Sequence, residues 1–482
     1  MKDWEKRAVE LFEKSINPFP QELNELDWKV NISEDGKKIA RHLSALSSNR
    51  EGGFLVFGVD NNGSLVGLKK DECTEIIKKI GNVARDTLEP AVQVDHMLST
   101  IEDKELLFVY VKESTQKPVH IRSESVFESY IRSAGQTRKM TKQEVSKSIS
   151  RSSGLVFEEQ NASDKLSGSE VLSELDFSSY FDLSQKSLPK DQEAILEVLV
   201  SEHLVKKEDS WYYITNMGAI LFAKDLQQYP TLKRHAPRVV HYATNDKSAI
   251  KKQTEGNRGY ASGFVNLVDH VNNLIPSNEI ITSTLRKEVK MYPELALREL
   301  IANALIHQDF DMTGTGPMIE IFSDRIEIRN PGAPLIKPNR LLDLPPQSRN
   351  EMLARMMRRL RVCEELGLGI DKVVEQAEIY QLPAPSFEVR GDHFVVTLWA
   401  HRELIKMTKE ERIRACYQHA SLRYVMHDPM DNKSLRKRFN VIDSNYPIIW
   451  RIISDTLAVN QIKKKDPNSN SRKYAKYLPF WG

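Results

Sequence analysis

The sequence contains few cysteines: Cys73, Cys363 and Cys416 are the only three among 482 residues, and they are far apart. An odd number of widely spaced thiols argues against a disulfide framework and against a Cys-x-x-Cys zinc site. The sequence also has no run of 18 apolar residues, and its charged first segment, MKDWEKRAVELFEKS, lacks the apolar core of a signal peptide. We therefore expect a cytoplasmic protein with no membrane-spanning helix.

Two further absences concern ligands. No GxxxxGK[ST] loop occurs, which excludes a Walker-type nucleotide site. The formal net charge is only +2, so any basic surface must be local. With 40% hydrophobic and 28% charged residues the composition is that of an ordinary globular protein, and the length suffices for about three or four domains.

A polar stripe runs through an otherwise apolar helical segment, ALRELIANALIHQDF. Glu299, Asn303 and His307 follow one another at intervals of four residues, so they share one face of the predicted helix. A carboxylate one turn before a carboxamide, above a wet cavity, can orient a water molecule and supply an oxygen to a divalent metal. Taken alone, the stripe also fits an amphipathic helix that faces solvent.

The residues after this helix predict a β-hairpin and a glycine turn. In PMIEIFSDRIEIR, apolar and polar residues alternate, which predicts that Met318–Phe322 pairs with Arg325–Arg329. The second strand ends at Asn330-Pro331-Gly332, and a Pro-rich segment occupies residues 333–349.

A second glycine pair comes later. After a helix that ends near Val362, Gly367 and Gly369 precede a helical pattern that begins at Ile370, and the strand HFVVTLW spans 393–399. Glycines at a helix N-terminus leave free N–H groups for a phosphate. A simple helix C-cap at Gly367 explains the pair equally well.

This order of motifs, over residues 285–400, resembles the GHKL ATP-binding domain of gyrases, histidine kinases and mismatch-repair ATPases, in the divergent form found in AlbA-type regulators. The resemblance implies that Asn303 binds Mg²⁺ and that Glu299 activates water. Asn330 stands where the family has the aspartate that reads the adenine amino group, and Gly332 is the matching glycine. The remaining implied roles are Gly367 and Gly369 at the triphosphate, Thr397 near the adenine, and residues 333–349 as a lid. Arg349, Arg340 and Lys337 lie in that segment and suit the neutralisation of phosphate charge, but solvated loop charges explain each of them equally well.

The first 150 residues contain a second constellation. Glu22, Asp27 and Lys29 lie near the start of a strand, a helix is predicted from about Gly36 to Asn49, and the buried strand FLVFGV ends in a turn at Asp60. Residues 15–150 resemble the Schlafen AlbA-like domain in this spacing, and the later segment YIRSAGQTRKM fits the end of that domain.

The Schlafen resemblance implies one of two activities. In the first, Glu22, Asp27 and Asp60 hold Mg²⁺ or Mn²⁺ and cut RNA, tRNA or DNA, because three clustered carboxylates need a cation to offset their repulsion. In the second, the domain binds DNA without catalysis. The cations expected to contact nucleic acid are Lys29, Arg132 and Arg138. A plain structural alternative is that Asp60 caps a turn and Glu22 is a surface charge.

The last segment is strongly basic: residues 431–482 contain eleven Lys and Arg against four Asp and Glu, a local charge of +7. The pattern predicts a helix, a turn, a second helix at Tyr446–Val459 capped by Ser444, and a β-wing at Lys463–Lys476. It resembles a winged helix, which binds DNA in many regulators and serves protein contacts or dimerisation in others. The residues expected at a nucleic acid are Tyr446, Arg451, Lys464 and Lys473.

We therefore expect an α/β (α+β) fold with four parts. These are a Schlafen AlbA-like domain at 1–150, a Ser-rich linker at 151–180, a GHKL-like α/β sandwich with an entry layer at 181–402, and a winged helix at 403–482. The helix, hairpin and helix after Asp191 are interpreted as that entry layer, with a vestigial winged helix as the alternative.

The predicted function is that of an ATP-binding nucleic-acid effector. The first form is a metal-dependent nuclease gated by ATP, in bacterial antiphage defence or stress, which assembles as a homo-oligomer. The alternative is a non-catalytic, ATP-responsive, DNA-binding transcriptional regulator.

Overall fold

The computed structural model describes residues 2–17, 20–49, 51–152, 156–281, 286–312, 314–363, 369–442, 446–467 and 475–482, except for the side chains of 143, 147, 150–152, 277–281 and 286–289. The chain divides into two compact units, residues 1–156 and 157–482. Both mix helices and strands, which confirms the expected α+β class. Among residues with described positions, no helix is both long and apolar enough to cross a bilayer.

Unit 1 is built on a four-stranded sheet in the order β1-β2-β5-β4, in which β1 and β2 are parallel and the other pairs are antiparallel. β2 is buried along its whole length because helices cover both faces: α1 packs on one and α2 and α3 on the other. Its elements are α1 Asp3–Ile16, β1 Leu26–Lys29, α2 Gly36–Ser48, β2 Gly53–Phe57, α3 Lys70–Asn82, β3 Leu88–Glu89, β4 Val94–Ile101, β5 Lys104–Val111, β6 His120–Ile121, β7 Tyr130–Ser133, β8 Gln136–Lys139 and α4 Lys142–Ser152.

Unit 2 begins with an entry layer of helices and one hairpin. Part of the segment predicted as a linker, 151–180, is helical here, because Val171 and Leu172 are apolar enough to join the core of the unit. The entry layer shares one continuous core with the helices of the main sheet. Its elements are α5 Gly168–Glu174, α6 Phe177–Ser184, α7 Gln192–Ser201, β9 Val205–Glu208, β10 Trp211–Ile214 and α8 Asn216–Phe222.

The centre of unit 2 is a six-stranded sheet in the order β12-β11-β15-β16-β18-β17. The predicted hairpin and the strand at 393–399 are confirmed as β15, β16 and β18. One face of the sheet packs against α9, α10 and α12. The elements are β11 Arg238–Tyr242, β12 Ile250–Glu255, α9 Tyr260–Leu274, β13 Ser277–Ile281, β14 Arg286–Lys290, α10 Glu294–Ile306, β15 Met318–Ile321, β16 Arg325–Pro331, α11 Glu351–Arg359, α12 Gly369–Ile379, β17 Ser386–Arg390 and β18 His393–Trp399.

The last part of unit 2, which begins at Lys409 and is called the winged-helix part below, has the order of a winged helix: helix, short strand, two helices and a hairpin. The predicted second helix is confirmed at Tyr446–Ala458, whereas its predicted cap, Ser444, lies outside the described residues. The short strand pairs with the hairpin in the order β19-β21-β20. The elements are α13 Lys409–Val425, β19 Met430–Asp431, α14 Asn432–Arg438, α15 Tyr446–Ala458, β20 Ile462–Lys464 and β21 Lys476–Pro479.

Candidate functional site

A cavity of about 550 Å³ lies between α10, the ends of β16 and β18, and the Pro-rich segment 333–349. The polar stripe of α10 lines it, with Glu299, Asn303 and His307 all in the wall. Glu299 is only 4% exposed, so the stripe does not face bulk solvent as an ordinary amphipathic helix would. The apolar walls come from the sheet and from the segment above it: Ile328, Leu335, Ile336, Leu341, Leu344, Phe394 and Val396.

The end of β16 supplies two of the predicted residues. Asn330 is buried, and its Nδ2 donates to the Pro331 carbonyl at 3.2 Å. Gly332 has a φ of +92°, and a Cβ there would lie 2.7 Å from Nη1 of Arg349 and from Cβ of Asp309. Only glycine therefore leaves room for the ion pair between Arg349 Nη1 and Asp309 Oδ2, 3.0 Å apart.

The N-terminus of α12 reaches the cavity at Gly369. A Cβ on Gly369 would lie 2.6 Å from Oε2 of Glu299 and 3.8 Å from Nδ2 of Asn303. The absent side chain lets the first turn of α12 approach the stripe of α10. The preceding glycine, Gly367, lies outside the described residues.

The cavity wall also contains cations that the sequence did not single out. Arg355 and Arg358 of α11 line it together with Arg349. Burial, with the nearby charges of Arg349 and Arg358, lowers the pKa of His307 to about 4. His307 is therefore neutral at pH 7. The guanidinium groups of Arg349, Arg355 and Arg358 make this wall of the cavity suited to an anion. The three-residue spacing of the two arginines, on a helix whose other face is apolar, was the available signal.

The segment that follows α10, His307 to Phe310, is anchored in the core of unit 2. Gln308 is buried and bonds to the His235 ring at 3.0 Å and to the Tyr260 hydroxyl at 2.8 Å. Phe310 stacks on Phe157 with ring centroids 4.6 Å apart. These contacts hold His307 and the end of the stripe in place.

Three predicted nucleotide contacts do not lie in the cavity wall. Thr397 belongs to β18, where successive side chains alternate between faces; Phe394 and Val396 line the cavity, so Thr397 lies on the opposite face. Arg340 is paired with Asp343 at 2.8 Å and is not in the cavity wall. Lys337 is exposed and likewise outside the wall.

In unit 1, Asp27 forms the centre of a charged cluster. Its neighbours in β1, Leu26 and Trp28, face α1, so alternation turns Asp27 toward α2 and the β7–β8 hairpin. The fully buried Asp27 carboxylate contacts Lys29 Nζ at 2.5 Å, His42 Nδ1 at 2.8 Å and Arg132 Nη1 at 3.1 Å.

The two carboxylates of the cluster titrate in opposite directions. Burial opposes ionisation of Asp27, but hydrogen bonds from His42 and Glu22 and the charges of Lys29 and Arg132 outweigh it and hold its pKa well below the usual range. Burial, and then the hydrogen bond and charge of Asp27, raise the pKa of Glu22 to about 7, although Lys29 at 3.1 Å acts against this. Glu22 thus keeps a proton where an ordinary glutamate has lost it.

The predicted metal triad is not assembled. Asp60 Oδ1 accepts hydrogen bonds from the amides of Asn62 and Ser64, both at 2.8 Å, so it caps its own turn. In the part of the chain that the structure describes, no three His, Cys, Asp or Glu side chains are grouped to hold a metal ion. Lys29 and Arg132 already neutralise Asp27, which leaves little electrostatic demand for a metal there.

The predicted nucleic-acid contacts of unit 1 differ in exposure. Arg132 is a buried structural residue, since its Nη2 donates to the carbonyls of Leu23 at 2.9 Å and Leu26 at 3.3 Å. Lys29 is partly exposed but engaged by both carboxylates. Arg138 is 43% exposed and forms a two-pronged pair with Glu144.

The basic side chains of the winged-helix part lie on its surface. Tyr446 and Arg451 of α15 are exposed, as is Lys464 in β20. Lys463, Lys465 and Lys476 extend the same exposed basic hairpin. Lys473 lies outside the described residues.

Comparison with protein-family models gives two matches. Residues 22–141 match the family "Schlafen, AlbA_2", and residues 314–398 match an ATPase-type family described as "Putative ATP-dependent DNA helicase recG C-terminal". The predicted pairing of a Schlafen AlbA-like domain with an ATPase-type domain is thereby confirmed.

Comparison with solved structures gives more distant likenesses. The DIP2311 protein from Corynebacterium diphtheriae is 16% identical, with 98% of this chain and 96% of that chain covered and a TM-score of 0.42. The N-terminal domain of a putative ATP-dependent DNA helicase RecG-related protein from Nitrosomonas europaea is 22% identical, covering 28% of this chain and 92% of its own, with a TM-score of 0.21. No curated protein matches this chain.

The raised pKa of Glu22 predicts a pH-dependent stability. Because the folded state holds the proton up to about pH 7 and the unfolded chain releases it near 4.5, stability should fall as pH rises between these values. Glu22→Gln, which keeps the neutral shape, should flatten this fall in thermal unfolding midpoints measured from pH 5 to pH 8. The control is Glu75→Gln, at an exposed position of α3. A pH profile of Glu22→Gln equal to that of the parent would contradict the conclusion that Glu22 keeps its proton in the folded state.

Proposed function

We propose that the cavity above α10 binds ATP with Mg²⁺ and that the chain uses nucleotide binding to control an action on nucleic acid. The observation that carries this proposal is that separate segments of the chain converge on the same cavity. Six residues predicted from four separate segments line the one cavity: Glu299, Asn303, Asn330, Gly332, Arg349 and Gly369. Its volume of about 550 Å³ lies within the usual range of small-ligand sites.

The donor groups of the cavity fit a magnesium nucleotide. Asn303 and Glu299 supply the hard oxygen ligands and water-orienting groups that Mg²⁺ prefers. Arg349, Arg355 and Arg358 supply charge for a triphosphate, next to the first turn of α12. Asn330, at the end of the apolar pocket formed by Ile328, Phe394 and Val396, would meet the base. Bound Mg²⁺ would neutralise phosphate charge there.

The geometry favours binding of nucleic acid without cleavage. Arg451 and the hairpin lysines form an exposed basic surface, whereas Asp27 is neutralised by protein cations and Asp60 is occupied in a turn. Exposed Lys and Arg side chains on a winged helix suit phosphate contacts. This form corresponds to the ATP-responsive DNA-binding regulator.

One observation keeps nuclease activity as a second candidate. Glu22 is half-buried and has a pKa of about 7, a value suited to a general base near neutral pH. It lies beside Lys29, a cation that could hold a scissile phosphate. A role in antiphage defence or stress, and assembly as a homo-oligomer, stay predictions from the family resemblance.

Substitution of Gly369 should weaken nucleotide binding. In Gly369→Ala the new Cβ would lie 2.6 Å from Oε2 of Glu299, so either this carboxylate or the first turn of α12 must shift, and both belong to the proposed nucleotide site. With an overpacking cost of about 1–3 kcal/mol, ATP affinity measured by calorimetry should fall roughly 5- to 150-fold. Gly81→Ala is the matched control, since a Cβ there meets nothing within 4 Å. Equal ATP affinities for Gly369→Ala and the parent would contradict the placement of the nucleotide.

The two nucleic-acid activities are separated by incubation with labelled tRNA, single-stranded RNA and duplex DNA, with Mg²⁺ or Mn²⁺ and with or without ATP. We expect retention of an intact nucleic acid that weakens steeply with salt and is reduced in Arg451→Ala. Cleavage that disappears in Glu22→Ala would instead establish the nuclease. Cleavage that is lost in Asp60→Ala would restore the metal triad, against the turn-capping role of Asp60. A chain that neither retains nor cuts any of these polymers would contradict the nucleic-acid proposal.

A further inference from the structure

The segment 333–349, called the lid here, has an inner face that lines the cavity. Leu335, Ile336, Leu341 and Leu344 all contribute to the cavity wall. Any ligand that fills the cavity must therefore contact the lid. If the ligand displaces Leu341, the residues next to it in the chain move as well.

The outer face of the same turn is held by the winged-helix part. The hydroxyl of Tyr417, in α13, donates to the carbonyl of Asn339, and it accepts a hydrogen bond from Nε1 of Trp481 at 3.0 Å. The guanidinium of Arg340 lies over the Trp481 ring, 5.1 Å from its centroid, and is oriented by Asp343. Arg340 and Asn339 immediately precede Leu341 of the inner face, so one turn contacts both the cavity and α13.

An apolar contact reinforces this connection. Leu342 of the lid packs in a small buried cluster with Val374 of α12 and Leu422 of α13, flanked by Ile370 and Phe387. Because α12 begins at Gly369 beside Glu299, this cluster joins the lid, the N-terminal part of α12 and α13. Packed side chains of this kind transmit displacements because interiors have few voids to absorb them.

A polar cluster ties the other end of α12 to the winged helix. The Glu378 carboxylate contacts Nδ1 of His419, in α13, at 3.0 Å, and Nε2 of His419 contacts the Ser434 hydroxyl, in α14, at 3.1 Å. Arg438 of α14 lies 3.4 Å from the same carboxylate and donates to the Leu382 carbonyl at 2.6 Å. Both ends of α12 are therefore attached to the winged-helix part.

We propose that Tyr417 and Trp481 are positioning residues for the lid, through which occupancy of the nucleotide cavity is coupled to the winged-helix part of the chain. This inference rests on the proposed nucleotide site and adds a route from it. The Tyr417 hydroxyl is the central element, since it is bonded both to the lid backbone and to the Trp481 indole. Coupling of this kind requires contacts that differ between the nucleotide-bound and nucleotide-free states.

The test is amide hydrogen exchange of the full chain with and without Mg-ATP, in the parent and in Tyr417→Phe. In the parent, Mg-ATP should slow amide exchange in α10, in the lid and also in α13. The slowing in α13 should be at least about fivefold, which is the low end of typical coupling between two sites. In Tyr417→Phe, which removes only the hydroxyl, the effect on α13 should fall to less than half, while the effects on α10 and the lid remain. Trp481→Phe should act in the same direction, since it removes the indole N–H.

Tyr424→Phe is the matched control. Tyr424 lies on the same helix, and its ring packs against that of Trp481 with the ring centroids 5.2 Å apart. Phenylalanine keeps this contact. The control should behave like the parent. Protection confined to α10 and the lid in the parent, or α13 protection that survives in Tyr417→Phe, would overturn the coupling alone. Absence of any protection in α10 and the lid would overturn the proposed nucleotide site as well.

Discussion

The proposed nucleotide cavity depends on one close approach, that of the first turn of α12 to the polar stripe of α10. The space for a Cβ at Gly369 is filled by the carboxylate of Glu299. A second close approach, at Gly332, lets Arg349 cross the end of β16 to reach Asp309. Because both contacts need the missing side chain, the two glycines determine where the helix end and the cation stand relative to the stripe.

In unit 1 the corresponding constraint is electrostatic. Asp27 is fully buried between helix and sheet, and a buried carboxylate without partners would be strongly unfavourable. Lys29, His42 and Arg132 supply those partners, and Glu22 joins the cluster as the protonated member. Lys29 and Arg132, which were predicted to contact nucleic acid, therefore stabilise the buried Asp27 carboxylate. The phosphate contacts are accordingly expected at the exposed basic side chains of the winged-helix part.

The sequence predicted those elements whose pattern is local. The hairpin β15–β16, the helix α12 and the strand β18 were predicted nearly to the residue, because apolar periodicity and glycine turns set them. The stripe of α10 and the Asn330–Gly332 turn were also correctly brought together. Thr397 was misplaced because a one-residue step along a strand changes the face. Asp60 takes the turn-capping alternative that the sequence left open. The burial of Arg132 was missed because its partners, the carbonyls of Leu23 and Leu26, are distant in the chain. Arg355 and Arg358 were missed although their three-residue spacing placed them on one face of α11, because the sequence does not show that this face lines the cavity.

The central claim is that α10, the lid and α12 enclose a site for a magnesium nucleotide. The most direct measurement is a crystal structure of the chain with a non-hydrolysable ATP analogue and Mg²⁺. The account predicts the triphosphate between the first turn of α12 and the three arginines, a metal ion at the Asn303 side-chain oxygen, and the base beside Asn330. An analogue bound elsewhere, or a cavity that stays empty at saturating analogue, would contradict it.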